Sequence, residues 1–215
     1  MSRLSRVLLV AAGGVVALAL ATPSAGAVPE RKLAATLGAV WQTVLEAPTP
    51  GNPFTDGDPC ISFGKVVAPF TPLGSAEVTC TVRPGTSVFV TAESSECSTV
   101  EAPPFYGADE VSLRRCARKA DAGFATPSVT VDGRRVAVRE VETELLPLDL
   151  PADNILGVAA QGAFSVAHGW VALLPPLPPG PHVVVLRVVG TDAFGNPVDL
   201  TNSTTILVQP AGRGG

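Results

Sequence analysis

The first strong periodicity falls in residues 30–47, where Leu33, Leu37, Val40, Trp41, Val44 and Leu45 recur at the spacing of one face of an α-helix. Pro48 and Pro50 end it, since proline has no N–H to donate and cannot continue the helical ladder. Beyond them the pattern changes to short apolar stretches punctuated by glycine and proline, 21 of each in the chain. Punctuation of that density predicts strands at 61–69, 77–82, 87–91, 128–131, 135–141, 164–173, 183–191 and 204–208. Asp132-Gly133, between the fourth and fifth, predicts a tight hairpin turn. The run Val183, Val184, Val185, Leu186, Val188 and Val189 is too continuous for a strand with one wet face, and predicts one inside a sheet packed against another layer. One segment breaks the series. With Asp109 as N-cap, Leu113, Cys116, Ala117 and Ala120 repeat at helical spacing and predict a short helix over 109–122.

Eight short strands with two marginal helices predict a mainly β fold, a β-sandwich of jelly-roll or immunoglobulin-like kind. The expected organisation is a signal peptide at 1–27, an N-terminal helix packed on the domain at 28–50, the sandwich at 51–209 and a disordered tail at 210–215. The leader rests on Arg3 and Arg6, the apolar run from Val7 to Leu20 and the small residues Ala25-Gly26-Ala27 at the cleavage position. The run is shorter than the about 20 apolar residues a membrane span needs. The expectation is therefore a secreted, extracellular protein with no membrane span after signal cleavage.

That location changes how the four cysteines are read. Cys60, Cys80, Cys97 and Cys116 form an even set, which in an oxidising compartment reads as disulfides. Zinc and thiol redox chemistry would want close C-x-x-C pairs, and none is present. Three pairings are open. The local one, Cys60 with Cys80 and Cys97 with Cys116, is preferred, each bridge closing a loop of about 20 residues worth roughly 3 kcal/mol. The formal net charge is −4, and the basic cluster Arg114, Arg115, Arg118 and Lys119 reads as the solvated face of the short helix. No nucleic-acid partner is expected.

Glu93, Glu96 and Glu101 crowd one stretch, and paired carboxyls are the groups that serve as acid and base in glycoside hydrolysis. With His168 and Trp170 they are the candidates for facing a ligand. No G-x-S-x-G elbow is present, His182 reads as a strand-end residue, and no catalytic residue is assigned. Asn52, Asp56 and Asp58, with Gly57 for a sharp turn, are the candidate calcium ligands, as a structural ion; the alternative is an Asx turn serving its own backbone. Asp192, Asn196 and Asp199 form a weaker second set. No other cofactor is expected.

The motifs "NPFTDGDPC", "CTVRPGTSVFV", "ECSTVEAPPFYGADEVSLRRCA", "VDGRRV", "NILGV" and "HGWVALLPPLPPGPH" together span most of the chain after the leader. On them the chain resembles a family of uncharacterised, secreted, largely actinobacterial proteins. The resemblance implies an exported, disulfide-bearing domain rich in β structure, and no established activity. The chain departs from the family in carrying "ISFGKVVAPF" after Cys60, where a tryptophan-rich stretch is expected. The function expected is that of a non-catalytic extracellular or envelope binding module, for a glycan, an envelope component or a protein. The alternatives are a secreted hydrolase working through carboxylates around Glu93 to Glu101 and a structural envelope protein.

Overall fold

The computed structural model describes residues 28–71 and 77–210; the expected leader and the last five residues of the expected tail lie outside them. Helix α1 (Glu30–Glu46) buries the predicted stripe, Leu33, Leu37, Val40, Val44 and Leu45. Among the described residues eleven strands follow, in two sheets. The first runs β1 (Cys60–Phe63), β2 (Val66–Pro69), β4 (Ser87–Ser98), β9 (Gln161–Leu174), β7 (Arg139–Glu142), with β8 (Leu146–Leu150) also paired to β9. The second runs β3 (Val78–Val82), β11 (Pro197–Val208), β10 (Gly180–Thr191), β5 (Ser128–Val131), β6 (Arg134–Val136). Most pairings are antiparallel, while β2 with β4 and β11 with β3 are parallel. Helix α2 (Glu110–Asp121) interrupts the strands as expected, and Asp109 caps it: Ser112 N–H donates to Asp109 Oδ1 at 2.8 Å and Asp109 N–H to Ser112 Oγ at 2.9 Å.

The sheets face each other across one core. Val67, Val88, Val90, Ala172 and Leu174 from the first meet Val82, Val129, Val184, Leu186, Val188, Ile206 and Val208 from the second. Helix α1 covers the outer face of the first sheet, where its stripe meets Ile61, Phe89, Val141, Ala167 and Val171. The first sheet is thus buried on both sides along β4 and β9, a three-layer arrangement of α1, sheet and sheet.

Both predicted bridges are present. Cys60–Cys80 ties β1 to β3, one sheet to the other, and Cys97–Cys116 fastens α2 to β4. The basic run of α2 is only partly a free surface: Arg114 and Arg118 both pair with Glu142 of β7, at 2.7 and 2.6 Å.

Several strands differ from the pattern reading, for physical reasons. The segment 61–69 is a hairpin because Gly64 takes a positive φ of 60° between β1 and β2. The segment 135–141 splits into β6 and β7, which join different sheets. β8 hides behind Pro147 in the sequence, yet it alternates as an edge strand does: Leu146, Leu148 and Leu150 are buried while Pro147 and Asp149 face out. β4 runs on to Ser98 because the polar residues Ser94–Ser98 keep their pairing with β9. β10 packs against the other sheet, as its apolar run requires, but through one face only. Val184, Leu186 and Val188 are buried while Val183 and Val189 are exposed, β-branched residues that suit an extended backbone without a covering layer.

Replacing both Cys97 and Cys116 by serine is expected to lower the unfolding free energy by about 3 kcal/mol through the freed 19-residue separation, read as a lower urea midpoint. Phe89→Ala, at a ring with no exposed surface between α1 and the sheet, is expected to cost about 3–5 kcal/mol in the same measurement.

Candidate functional site

β4 changes character at Ala92. Its register with β9 slips between Thr91 and Glu93, leaving Ala92 as the extra residue of a β-bulge. Before the bulge Val88 and Val90 face the second sheet and Phe89 faces α1. After it the side chains alternate again, Cys97 reaching α2 through its disulfide while Ser94, on the opposite face, meets α1: Trp41 Nε1 donates to Ser94 Oγ at 3.0 Å. Glu93 therefore shares the α2 face with Cys97, and Glu96 lies on the α1 face. Opposite Ser94 sits Gly169, where a Cβ would collide with the Glu93 carbonyl oxygen and come within 2.6 Å of Ser94 Cα. Only glycine admits that approach.

A cavity of about 590 Å³ borders this half of β4, within the range of small-ligand sites. Aromatic rings make much of its wall. Trp41, Phe54 and Phe70 cluster on the α1 side, with centroids 6.2 Å (Trp41 to Phe70) and 5.8 Å (Phe54 to Phe70) apart. Phe105 and Phe194 meet edge-on at 5.6 Å, and Leu186, Val188 and Leu200 of the second sheet complete the apolar surface. Four carboxyl groups line it, those of Glu93, Glu96, Glu101 and Asp192, with no lysine, arginine or histidine among the lining residues.

Two carboxyl groupings result. Glu93 lies against Asp121, the last residue of α2; burial, reinforced by the Asp121 charge, pushes the Glu93 carboxyl up to about 9. Asp121 is itself raised by burial, against the pull of His168. On the other face Glu96 is buried, accepts a hydrogen bond from Ser165 Oγ and touches Glu101; burial and the Glu101 charge hold it well above the carboxylate range. Glu101 is raised by burial, with contacts to Glu96 and Ser98 working against it. Each pair thus favours a shared proton over two charges. The proton of each pair lies between its two carboxyl groups, so Glu93 is partnered by Asp121 and Glu101 by Glu96.

Behind Glu93 the polar contacts continue to the surface. Asp121 Oδ2 lies 2.7 Å from His168 Nδ1, and His168 Nε2 lies 3.2 Å from Oε1 of the exposed Glu140. Burial alone would lower the His168 imidazole, but Asp121 and Glu140 lift it above its ordinary value.

The structure brings together three of the five sequence candidates directly. Glu93, Glu96 and Glu101 border the cavity, and His168 joins through Asp121. Trp170 stands edge-on to His168 at 5.9 Å and packs against the core between the sheets, outside the cavity wall. The candidate calcium residues act on their own backbone. Asn52 is buried and donates through Nδ2 to Val44 O and Ala47 O, closing the end of α1, while its Oδ1 accepts from Phe54 N–H. Asp56 accepts from Gly51 N–H and Asp58 from Cys60 N–H. In the second set, Asp192 accepts from the Phe194 and Asn196 N–H groups, while Asp199 pairs with Arg187 at 2.9 Å. Among the described residues, no group of three or more His, Cys, Asp or Glu is arranged to hold a metal ion.

Asp121 is the functional residue that sequence reasoning missed. Its signal was available: it lies four residues beyond Ala117, on the buried stripe of α2 with Leu113 and Ala117, where an acid has no apolar reason to be. The cavity's aromatic residues carried none, since they come from six separate segments.

Glu93 keeps its proton to about pH 9 in the folded chain and loses it near its model-compound value of 4.5 when unfolded. Between those values the folded state binds the extra proton, so stability falls as pH rises. The melting temperature is expected to decline from about pH 5 towards about pH 9, and Glu93→Gln to flatten that decline, melting higher than the parent at about pH 8 and like it at about pH 4.5. Calorimetry across that range checks both.

No family model and no curated protein matches the chain. Among solved structures it is similar to the solution structure of amebosin, at 14% identity over 61% of this chain and 88% of that chain, with a TM-score of 0.19, a superposition too poor to bear on fold or function.

Proposed function

We propose that the chain is an exported binding protein of the extracellular space or cell envelope, and that the cavity beside β4 holds a ligand with an apolar body and a cationic, hydrogen-bond-donating head. The observation that carries this reading is the set of four carboxyl groups, on Glu93, Glu96, Glu101 and Asp192, that line an otherwise largely apolar cavity with no basic residue among its lining. Burying acids without a counter-charge costs free energy, seen in the raised Glu93 and Glu96 carboxyls. A ligand that supplies donors removes that cost, and a positive head also draws the shared protons off the carboxyl pairs. The aromatic wall suits the rest of such a molecule. Export is supported by the leader-like first 27 residues and by all four cysteines being bridged.

A second reading, a secreted carboxylate-dependent hydrolase, is favoured by one feature: Glu96 and Glu101 touch and share a proton, an arrangement that acid hydrolases use. Glycoside hydrolysis fits it less well, because its two carboxyls stand about 5–10 Å apart across the sugar.

Phenylalkylamines are expected to raise the melting temperature of the protein at neutral pH, while matched phenylalkyl carboxylic acids leave it unchanged and Glu93→Gln weakens the effect. Binding only of neutral oligosaccharides would reject the cationic head, and no binding by any probe would reject the site. Turnover of polysaccharide or ester substrates, abolished by Glu96→Gln, would establish the hydrolase instead.

A further inference from the structure

The cavity touches six consecutive residues of β4, Thr91 to Glu96. Side chains of a strand point alternately to opposite faces, so a cavity on one face touches every second residue. A cavity that touches six in a row lies along the strand's edge and reaches round to both faces. The other walls agree, since Trp41 and Leu45 come from the α1 side and Leu186 and Val188 from the opposite sheet.

Among the described residues that edge is open. There β2 pairs with β4 at Ser87 and Val88, and the next pairing on the same side is at Ser98, which bridges to Tyr106. Ser98 N–H donates to Phe105 O at 3.1 Å and Ser98 O accepts from Gly107 N–H at 3.2 Å, so the peptide groups of Ser98 point away from β9. Alternation then aims the N–H and C=O groups of Ser94 and Glu96 the same way, into the cavity, while those of Ser95 and Cys97 serve the ladder with β9. Among the described residues no strand pairs with that edge between Val88 and Ser98. At about 3.4 Å per residue the six residues span about 17 Å, room for about five residues of an extended partner.

We infer that the cavity is a strand-addition cleft: it takes an extended polypeptide segment bearing lysine or arginine, whose backbone pairs with Ser94 and Glu96 and whose cationic side chains meet Glu93, Glu96 and Glu101. This rests on the reading of the cavity as a ligand site and names its ligand class. The lining decides the partner, because its four carboxyl groups and no bases give a cationic side chain acids to deprotonate and pair with. The same edge of a second copy would bring further carboxyls and no base to pair with them. Backbone pairing supplies affinity and the pockets for alternate side chains supply selection, as in other strand-addition sites.

The test uses the disulfide-bonded protein and the peptide acetyl-Val-Lys-Lys-Lys-Val-amide, whose adjacent lysines point to both faces of the strand. The same peptide is N-methylated at alternate nitrogens in each of the two registers, and made again with glutamate for lysine. The parent peptide is expected to bind and to slow amide hydrogen exchange at Ser94 and Glu96, leaving Cys97, already in the ladder, unchanged. N-methylation in one register is expected to weaken binding at least about tenfold and in the other to leave it unaltered. The glutamate peptide is expected not to bind. If the parent binds with unaltered exchange at Ser94 and Glu96 and indifference to N-methylation, strand addition is overturned while the cavity remains a ligand site. Binding of phenylalkylamines without the peptide likewise overturns strand addition alone, and failure of both removes the ligand site as well. Equal binding of the glutamate peptide overturns the choice of a basic partner. Protection of Ser94 and Glu96 in the free protein, together with dimerisation, assigns the edge to a second copy and overturns the inference.

Discussion

The mismatch in length between β4 and its two neighbours organises the molecule. β9 runs the whole length of β4, from Val88 opposite Leu174 to Ser98 opposite Ser165, whereas β2 covers it at two positions. The first half of β4 is a core strand, with α1 on one face and the second sheet on the other. Its second half keeps the hydrogen bonds to β9, and among the described residues no strand pairs with its other edge before Ser98 bridges to Tyr106. The bulge at Ala92 marks the passage between the two, and Gly169 lets β9 come close enough to hold the strand there. Remove the long β9 ladder and neither α1 nor α2 has a surface to pack on.

The carboxyl groups sit where this geometry makes charge expensive. Glu93 and Asp121 meet under α2, Glu96 and Glu101 on the other face, and in both places burial outweighs the nearest compensating group. Asp132 provides the contrast: exposed, bonded to His182 at 2.7 Å and to Val183 N–H, it is held below the ordinary carboxylate range. The same side-chain chemistry is settled in opposite directions by water and by nearby donors. The cavity acids thus behave as neutral or half-neutral hydrogen-bonding groups until something positive arrives.

Much of the fold was written in local pattern. The α1 stripe, the Asp109 cap, the Asp-Gly hairpin and the pairing of near cysteines are short-range signals, and each appears as read. The cavity was legible only in part. Three glutamates close in sequence were visible, but the alternation that sends Glu93 and Glu96 to opposite faces depends on a bulge, and bulges leave no periodic trace. The aromatic wall is assembled from α1, the loops around Phe54, Phe105, Phe124 and Phe194 and the end of β2, contacts far apart along the chain that only the packed sheets bring together. Asn52 shows the converse. Its oxygen-rich neighbourhood looked like an ion loop, and its amide turns out to close the end of a helix.

The bridge from Cys97 to Cys116 has a bearing on maturation. Helix α2 carries at its far end the aspartate that completes one carboxyl grouping, and it is held by the covalent link to β4, by the apolar contact of Leu113 and Ala117 with Val166 of β9, and by the pairs of Arg114 and Arg118 with Glu142 and of Asp121 with His168. A reduced copy lacks the covalent one of these ties, so the helix above Glu93 is held by non-covalent contacts alone. Oxidation then narrows the freedom of a helix that its ion pairs have already placed.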